Sequence, residues 1–200
     1  MSRFIETIQL KDGQFYHLSL HQARVNRSWQ AHFTGALTID LRAILPLANE
    51  YPQGLFKCRV TYDQTLENVE VFPYAIRPIH SLQLVESQLD YTFKYKDRKT
   101  LQTLFSQRGT CDDVLIVKNG QITDASYTNV AFFDGKNWWT PNTPLLRGVQ
   151  REALLQRGII LEKSIPVTSI YDYSKIKLFN AMMDWKMGPT LPTSAIMKNW

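Results

Sequence analysis

The first pattern along the chain has a period of two over residues 4–10, in which one face would carry Phe4, Glu6, Ile8 and Leu10 and the other Ile5, Thr7 and Gln9. Every second side chain would point to the same face, as in a β-strand. The tetrapeptide Lys11-Asp12-Gly13-Gln14 is typical of a hairpin turn. Residues 15–20 are therefore predicted to be the return strand or its end, and residues 21–29 have the apolar spacing of a helix.

Similar patterns continue to residue 74. A helix is predicted over residues 39–47, with Asp40 near its start. Residues 54–63 alternate again and are predicted to pair with a strand over residues 69–74. The first part of the chain is thus predicted to be an α+β unit.

A domain boundary is predicted within residues 76–80, because the proline in this segment disfavours helix and a strand over residues 81–85 follows. The boundary divides the chain into a small domain of residues 1–78 and a larger domain of residues 79–200.

The second part is rich in predicted strands. The spacing of Leu101, Leu104 and Phe105 predicts a helix over residues 94–107, and a further helix over residues 147–157 is expected to end at the C-cap glycine Gly158. The predicted strands cover residues 113–117, 121–124, 129–133, 138–139 and 159–167, and residues 175–181 are predicted to be a strand followed by a turn. Tight turns are predicted at Asn119-Gly120 and Asp134-Gly135. These elements predict a compact, barrel-like sheet.

The composition limits the possible partners. A net charge of +5 suits either nucleic acid or an anionic small molecule, but Lys and Arg are spread along the chain and form no arginine-rich tail. No apolar run is long enough to cross a bilayer, and the start lacks a signal-peptide core. The isolated Cys58 and Cys111 suit a reducing compartment. We predict a cytoplasmic protein that binds a small molecule rather than nucleic acid or a membrane.

Several common catalytic motifs are absent from the sequence. It contains no phosphate-binding P-loop, no Rossmann glycine run, no HExxH and no GxSxG. The four histidines form no cluster with the spacing of metal ligands. No metal site is therefore predicted.

An ordered set of short motifs carries more information than any one of them. The set consists of Phe4-Ile5-Glu6-Thr7, Gly13, His21-x-x-Arg24, residues 94–98 with Lys94, residues 120–130 with Asp124 and Asn129, Thr140-Pro141, residues 146–151 and Asn180-Ala181. In this order and spacing it resembles the class IV pyridoxal-phosphate enzymes, a family that includes branched-chain and D-amino acid aminotransferases and aminodeoxychorismate lyase. The resemblance covers nearly the whole chain.

The resemblance implies the two-domain architecture of fold-type IV enzymes. A small N-terminal α/β sandwich and a larger barrel-like C-terminal domain would hold pyridoxal 5′-phosphate between them. Members of the family pair as homodimers, so a homodimer is expected. The family usually has a further strand and turn before its FET motif, and this chain begins almost at that motif. We therefore expect an N-terminally shortened version of the fold.

Lys94 is implied to be the catalytic residue. Its amine would hold the cofactor as a Schiff base and would then carry a proton between the substrate Cα and the cofactor. Asp124 stands where the family keeps a glutamate beside the pyridinium nitrogen, and a carboxylate there keeps the ring protonated. Aspartate is one methylene shorter than glutamate, which leaves the efficiency of the reaction open.

The cofactor phosphate is implied to be bound by a side chain and by backbone N–H groups. Arg24 would bind the phosphate oxygens with its forked guanidinium. Gly148, Val149 and Gln150 would supply N–H groups at the start of a helix, where an anion is favoured. Gln150 replaces the threonine that is usual in the family.

The last implied positions border the cofactor and the substrate. Asn180 and Ala181 match a late loop beside the phosphate, and Asn129 would orient the segment after Asp124. The substrate carboxylate has only candidate partners, which are Arg59, Tyr62, Arg77 and Tyr127.

Three functions remain open at this point. The first is transfer of an amino group from an amino acid to a 2-oxo acid. The second is aminodeoxychorismate lyase chemistry, which uses the same lysine and cofactor to release pyruvate and 4-aminobenzoate. The third is a degenerate, non-catalytic binding module, against which the retention of both Lys94 and Asp124 argues. The amino-transfer hypothesis is preferred on the breadth of the family alone.

Overall fold

In a computed structural model of the protein, residues 3–198 are described and form two compact units. The first unit contains residues 3–76 together with Phe93–Asp97 and Ala181–Met183. The second contains Arg77–Thr92, Arg98–Asn180 and residues 184–198. The first break therefore falls two residues before the predicted boundary, and two short later segments return to the first unit.

The first unit is built on a four-stranded antiparallel sheet with the strand order β2-β1-β3-β4. Its strands are β1 (Phe4–Lys11), β2 (Gln14–Phe15), β3 (Leu55–Tyr62) and β4 (Leu66–Pro73), and its helices are α1 (Leu18–His32) and α2 (Leu41–Ile44), with a 3-10 turn at Ala48–Glu50. Both predicted strand pairs are confirmed.

The hairpin between β1 and β2 is confirmed, but the return strand is shorter than predicted. Asp12 and Gly13 both have positive φ, 49° and 74°, which matches the twist that a two-residue hairpin turn needs. β2 ends at Phe15, and α1 already begins at Leu18. The prediction of a strand up to residue 20 is therefore wrong for its second half.

The predicted helix over residues 39–47 is confirmed in type but covers only Leu41–Ile44. Its N-cap is Asp40, whose side chain accepts a hydrogen bond from the N–H of Arg42 at 2.9 Å. Pro46 explains the early end, because a residue before proline is driven out of the helical region. Leu45 is indeed extended, with φ −75° and ψ 146°.

The core of the first unit lies between α1 and one face of the sheet. Every second residue of β1 and β3 contributes to it, and Val25 of α1 packs against them. The fully buried members include Phe4, Ile8, Cys58 and Val60. The alternation read from the sequence is thus the alternation between this core face and the opposite face of the sheet.

The second unit contains two sheets with the strand orders β13-β5-β6-β7 and β10-β9-β8-β11-β12. The strands are β5 (Leu82–Glu86), β6 (Asp113–Lys118), β7 (Gln121–Ala125), β8 (Asn129–Phe133), β9 (Trp138–Pro141), β10 (Leu161–Lys163), β11 (Lys175–Phe179), β12 (Thr190–Pro192) and β13 (Ile196–Met197). The helices are α3 (Lys99–Ser106) and α4 (Val149–Gln156), with 3-10 turns at Val167–Asp172, Trp185–Met187 and Thr193–Ala195.

Three element boundaries of the second part were predicted wrongly. α3 begins at Lys99 instead of residue 94, because Tyr95 in the segment before it forms a bridge with Phe4 of β1. α4 begins two residues later than predicted. The strand predicted over residues 159–167 is limited to β10, and a 3-10 turn begins at Val167.

The two predicted turns of the second unit are confirmed. Asn119 and Gly120 have φ of 51° and 72°, and Gly135 has φ of 100°.

The apolar core of the second unit is formed by residues from both sheets, with Leu84, Leu115 and Phe132 among its buried members. The α+β class predicted from the sequence is confirmed. Among the helices of residues 3–198, none has the length and apolar character to span a bilayer.

Substitution Phe132→Ala should test the core of the second unit. The ring is fully buried and packs against Tyr173 at 5.4 Å between centroids. Its removal should lower the free energy of unfolding by about 3–5 kcal/mol, measured by chemical denaturation. Leu47→Ala is the control, because Leu47 is 67% exposed and its loss should change stability by less than about 0.5 kcal/mol. Equal effects of the two substitutions would contradict this core.

Candidate active site

Lys94 lies in the segment Phe93–Asp97, which runs beside the start of β1. Its carbonyl oxygen accepts a hydrogen bond from the N–H of Ile5 at 3.0 Å. The next residue, Tyr95, forms an antiparallel bridge with Phe4. Hydrogen bonds of the β type therefore fix the backbone of the predicted catalytic lysine.

The neighbours of Lys94 indicate the face of the sheet on which it lies. The rings of Phe93 and Tyr95 pack against Phe4, with centroids 6.3 and 5.3 Å away. Phe4 belongs to the core face of β1. Lys94 is the central residue of a tight turn, in which the N–H of Tyr95 donates to the carbonyl oxygen of Phe93 at 3.0 Å. Because both neighbours pack on the core side, we infer that the half-buried side chain of Lys94 points away from it.

Arg24, the predicted phosphate ligand, forms a buried ion pair with Glu6. Its Nε donates to Oε1 of Glu6 at 2.8 Å, and its Nη2 donates to Oε2 at 2.6 Å. His21, one helical turn earlier on α1, contacts the same carboxylate through Nδ1. Glu6 thus takes two of the five guanidinium N–H directions, and the phosphate role of Arg24 stays a prediction.

The protonation states of this cluster follow from its burial and its charges. Burial alone would raise the pKa of Glu6, but the guanidinium of Arg24 and the hydrogen bond from His21 outweigh it and lower the pKa to about 2. Burial lowers the pKa of His21, and its contact with Glu6 opposes this only in part. The cluster therefore consists of a carboxylate, a guanidinium and a neutral imidazole at neutral pH.

A third segment with a predicted site residue also contacts β1. Ala181 lies in Ala181–Met183, and Nε2 of Gln9 donates to the carbonyl oxygen of Met182 at 3.3 Å. In the first unit, β1 therefore connects the segments that carry Lys94, Arg24 and Ala181.

In the second unit, Asp124 connects most of the predicted residues. It lies near the end of β7 and is 5% exposed. Its Oδ1 accepts from Nδ2 of Asn129 at 2.7 Å, and its Oδ2 accepts from the N–H of Leu146 at 2.9 Å. Nδ2 of Asn129 also donates to the carbonyl oxygen of Leu146 at 2.9 Å. The carboxylate thus joins β7, β8 and the loop before α4.

Asp124 is a carboxylate with an unfavourable environment for its charge. Burial raises its pKa to about 6, although the hydrogen bonds from Leu146 and Asn129 and the charge of Arg151 oppose this. The guanidinium of Arg151 does not reach it, because it donates to the carbonyl oxygen of Pro141 and pairs with Glu162. A cationic partner would favour the ionised form of Asp124.

Gly148 is required by a close approach to Asn129. A Cβ atom at this position would lie 2.0 Å from Oδ1 of Asn129, which no side chain tolerates. Its φ of −70° is ordinary, so the constraint is steric and not conformational. The same asparagine that binds Asp124 therefore also needs a glycine at the start of α4.

The start of α4 has the features of an anion site. Gly148 is its N-cap residue, and no side chain among the described residues caps its first turn. The first N–H groups of a helix lack partners within the helix and carry partial positive charge. Val149 and Gln150 are buried here, with 3% and 5% exposure. Gly148, Val149 and Gln150 thus lie at the start of α4, and their role in binding a phosphate stays a prediction.

Asn180 contacts the turn that follows β7. Its Nδ2 donates to the carbonyl oxygen of Tyr127 at 3.3 Å. Arg98 holds the same turn, because its Nη2 donates to the carbonyl oxygen of Ser126 at 2.8 Å. Arg98 was part of the sequence motif but was not predicted as a site residue, and the structure places it next to the strand that carries Asp124.

The substrate candidates fall into two groups. In the second unit, Arg77 pairs with Asp113 at 3.0 Å and stacks on the ring of Tyr127 at 5.1 Å from the centroid. In the first unit, Tyr62 lies in the core and is 1% exposed, whereas Arg59 lies on the other face of β3.

Glu6 is the buried charged side chain whose role sequence reasoning missed. Its position within an apolar, core-facing set of residues was a signal, because a carboxylate there needs a buried partner. Arg24 and His21 are spaced one turn apart on the next helix and could have been recognised as that partner. Within residues 3–198, no group of three or more His, Cys, Asp or Glu side chains is arranged to hold a metal ion.

The chain is similar to known proteins over most of its length. The sequence model of a family described as amino-transferase class IV matches residues 3–186. An uncharacterised protein of Haemophilus influenzae is 36% identical over 185 residues, which cover 91% of this chain and 98% of the relative.

Two solved structures show the fold. A protein of Haemophilus somnus, provisionally described as a 4-amino-4-deoxychorismate lyase, is 31% identical with a TM-score of 0.85, covering 91% of this chain and 97% of its own. The pyridoxal-phosphate-bound form of a hypothetical aminotransferase from Mycobacterium tuberculosis is 18% identical with a TM-score of 0.79, covering 95% of this chain and 80% of its own. The fold-type IV architecture predicted from the sequence is confirmed.

The raised pKa of Asp124 predicts a pH effect on stability in the cofactor-free protein. In the unfolded chain this carboxyl ionises near 3.8, and in the folded chain near 6. The folded state therefore loses stability as the pH rises through this range, by up to about 3 kcal/mol from this group. Asp124→Asn lacks the titration, so the stability of wild type minus that of the variant should fall between pH 4 and pH 7.

The measurement is urea denaturation of both proteins at pH 4, 5, 6 and 7. A difference that stays constant over this range, or that grows with pH, would contradict the assigned environment of Asp124.

Proposed function

The chain belongs to the class IV aminotransferase family and is an enzyme of that pyridoxal-phosphate-dependent class, and on this premise we propose that Lys94 binds the cofactor covalently for amino-group transfer. The observation that carries the proposal is the placement of Lys94. Its backbone is fixed against β1 by hydrogen bonds, and its side chain is inferred to point away from the core. A covalent attachment point needs a fixed backbone.

The residues present suit the cofactor. In the second unit the uncapped start of α4 offers N–H groups to a phosphate, with Gly148 as the cap residue. In the same unit Asp124 is a buried carboxylate without a cation in hydrogen-bond contact among the described residues, which is what a protonated ring nitrogen would require. The residues that we propose to bind the cofactor are Arg24, Lys94, Asp124, Asn129, Gly148, Val149, Gln150, Asn180 and Ala181.

The roles of the side chains follow from their chemistry. Pyridoxal phosphate, when bound, withdraws electrons from the substrate and so makes the Cα–H bond acidic. Lys94 then serves as the base that takes the Cα proton and as the acid that returns it at a neighbouring carbon. Asp124 stays ionised beside a positive ring nitrogen, since such a partner lowers the pKa of a carboxyl group.

Asn129 has a positioning role in this proposal. Its amide donates to Asp124 at 2.7 Å and to the loop before α4 at 2.9 Å. One side chain therefore sets the carboxylate and the proposed phosphate loop relative to each other within the second unit.

A second reaction is favoured by one relative. The Haemophilus somnus protein, 31% identical to this chain, is provisionally described as a 4-amino-4-deoxychorismate lyase. That reaction uses the same lysine but ends in the release of pyruvate and 4-aminobenzoate. No observation in the structure or the comparisons supports the third alternative, a non-catalytic binding module.

Two further expectations belong to this proposal. The two cysteines of the chain, Cys58 and Cys111, are buried as free thiols, which suits a reducing, cytoplasmic location. We also propose a homodimer, because members of the family pair and their sites lie near the subunit interface.

The attachment of the cofactor is tested by trapping it. Borohydride reduction of the protein loaded with pyridoxal phosphate, followed by peptide mass analysis, should place the label on Lys94. Lys94→Ala should lose the visible-edge absorbance band. Lys96→Ala is the matched control, because Lys96 is exposed, pairs with Glu67 and should not affect the band. A label on another lysine, or an unchanged band in Lys94→Ala, would exclude the assignment.

The reaction is tested with two substrate sets on the same preparation. We expect amino acids with 2-oxoglutarate to give the corresponding 2-oxo acids, and Lys94→Ala to lose at least 1,000-fold in rate, or about 4 kcal/mol of transition-state stabilisation. Aminodeoxychorismate is offered in parallel, with detection of pyruvate and 4-aminobenzoate. Formation of these products without amino transfer would replace the first reaction by the second, and inactivity with both sets would contradict both.

A further inference from the structure

A short turn over residues 125–128 connects Asp124, near the end of β7, to Asn129, the first residue of β8. The N–H of Ala125 donates to the carbonyl oxygen of Thr128 at 2.9 Å and closes the turn. At the base of the turn, the side chain of Asn129 donates to Asp124 at 2.7 Å. The backbone of this turn thus carries both ends of the contact between Asp124 and Asn129.

The backbone of the turn is held by the guanidinium of Arg98. Nη2 of Arg98 donates to the carbonyl oxygen of Ser126 at 2.8 Å, although the two residues are 28 positions apart in the sequence. Ser126 is buried, so that its polar groups depend on partners within the protein. A hydrogen bond from a charged donor is stronger than one from a neutral donor. Because Arg98 is the N-cap residue of α3, this bond connects the turn to the start of that helix.

The charge of Arg98 is not used in an ion pair. Among residues 3–198, no carboxylate forms a salt bridge with its guanidinium. Its side chain is half-buried, and its Nε is buried without a hydrogen-bond partner in the part of the chain that the structure describes. A buried N–H group without a partner costs free energy. The contribution of this side chain is therefore its direct contact with the turn.

Two other side chains contact the next residue of the turn, Tyr127. Nδ2 of Asn180 donates to its carbonyl oxygen at 3.3 Å, and the guanidinium of Arg77 lies 5.1 Å from the centroid of its ring. The first of these bonds is longer than that of Arg98, and the second contact is made with a side chain and not with the backbone. The bond from Arg98 therefore acts on the backbone of the turn at the residue that lies only two positions after Asp124.

We propose that Arg98 is a positioning residue for Asp124. By holding the carbonyl oxygen of Ser126, it fixes the turn and so sets where the carboxylate of Asp124 meets the positive ring nitrogen of the cofactor. The proposal rests on the proposed function in taking Asp124 as the partner of that nitrogen. A displacement of about 1 Å is enough to weaken a contact of this kind strongly.

The test compares the binding of two cofactors to the same protein. One is pyridoxal phosphate, and the other is its analogue with a C–H group in place of the ring nitrogen. Both carry the same aldehyde and phosphate, but only the first can contact Asp124 through the ring nitrogen. The ratio of their dissociation constants, measured by equilibrium dialysis, therefore reports this one contact, and a general weakening of the site cancels. Wild type should prefer pyridoxal phosphate at least about tenfold, as expected for one charge-assisted hydrogen bond.

Two substitutions of Arg98 remove the bond to the turn. Arg98→Met keeps an unbranched, flexible side chain but has no donor, and it should reduce the preference to about threefold or less. Arg98→Gln should act in the same direction and decides the question if the first variant does not fold. Arg108→Met is the matched control, because Arg108 is also half-buried and donates to a backbone carbonyl oxygen, that of Phe105 at 3.3 Å, but does not contact the turn. It should keep the preference within about twofold of wild type.

A double variant shows whether Arg98 acts through Asp124. Asp124→Asn alone should remove most of the preference, and Arg98→Met should cause no further change in that background, because the contact that it positions is already lost. An unchanged preference in both Arg98 variants, an equal loss in Arg108→Met, or a further loss in the Asp124→Asn background would each overturn the proposal. Failure of the role of Asp124 itself would instead appear as equal binding of the two cofactors to wild type, or as a full preference in Asp124→Asn.

Discussion

The buried carboxylate of Glu6 is the constraint on which the first unit depends. A carboxylate removed from water is costly unless it is paired, and Glu6 is paired with Arg24 and contacts His21. These contacts fix α1 on β1, and the same strand binds Lys94 and the segment of Met182 through other groups. One strand with a polar centre thus organises segments that lie far apart along the chain.

Asp124 is also a buried carboxylate, but among the described residues it has no charged partner in contact. Both carboxylates are buried, yet the pKa of Glu6 is lowered to about 2 and that of Asp124 is raised to about 6. The difference is the partner, since Glu6 contacts a guanidinium and Asp124 accepts only from neutral N–H groups. Glu6 is therefore a structural anion. The ionised form of Asp124 lacks a contacting cation among the described residues, and a ligand can supply one.

Local patterns made much of the fold and part of the site predictable. The turn at Asp12-Gly13 and the alternation along β1 depend on neighbouring residues, and both were confirmed. Lys94 was assigned to a helix because Leu101 and Leu104 have helical spacing, but the adjacent Tyr95 pairs with the distant Phe4 and the helix begins only at Lys99. The close approach of Asn129 to Gly148 is likewise a product of tertiary packing, which no local pattern records.

A buried charge that the protein leaves without a charged partner indicates what its ligand must provide. Asp124 accepts hydrogen bonds from Leu146 and Asn129 and has no contacting cation among the described residues. Burial therefore disfavours its ionised form in the free protein, as its raised pKa indicates. A positive ring nitrogen bound beside Asp124 would recover this cost. The balanced pair of Glu6 and Arg24 provides the contrast, because it needs no ligand to be stable.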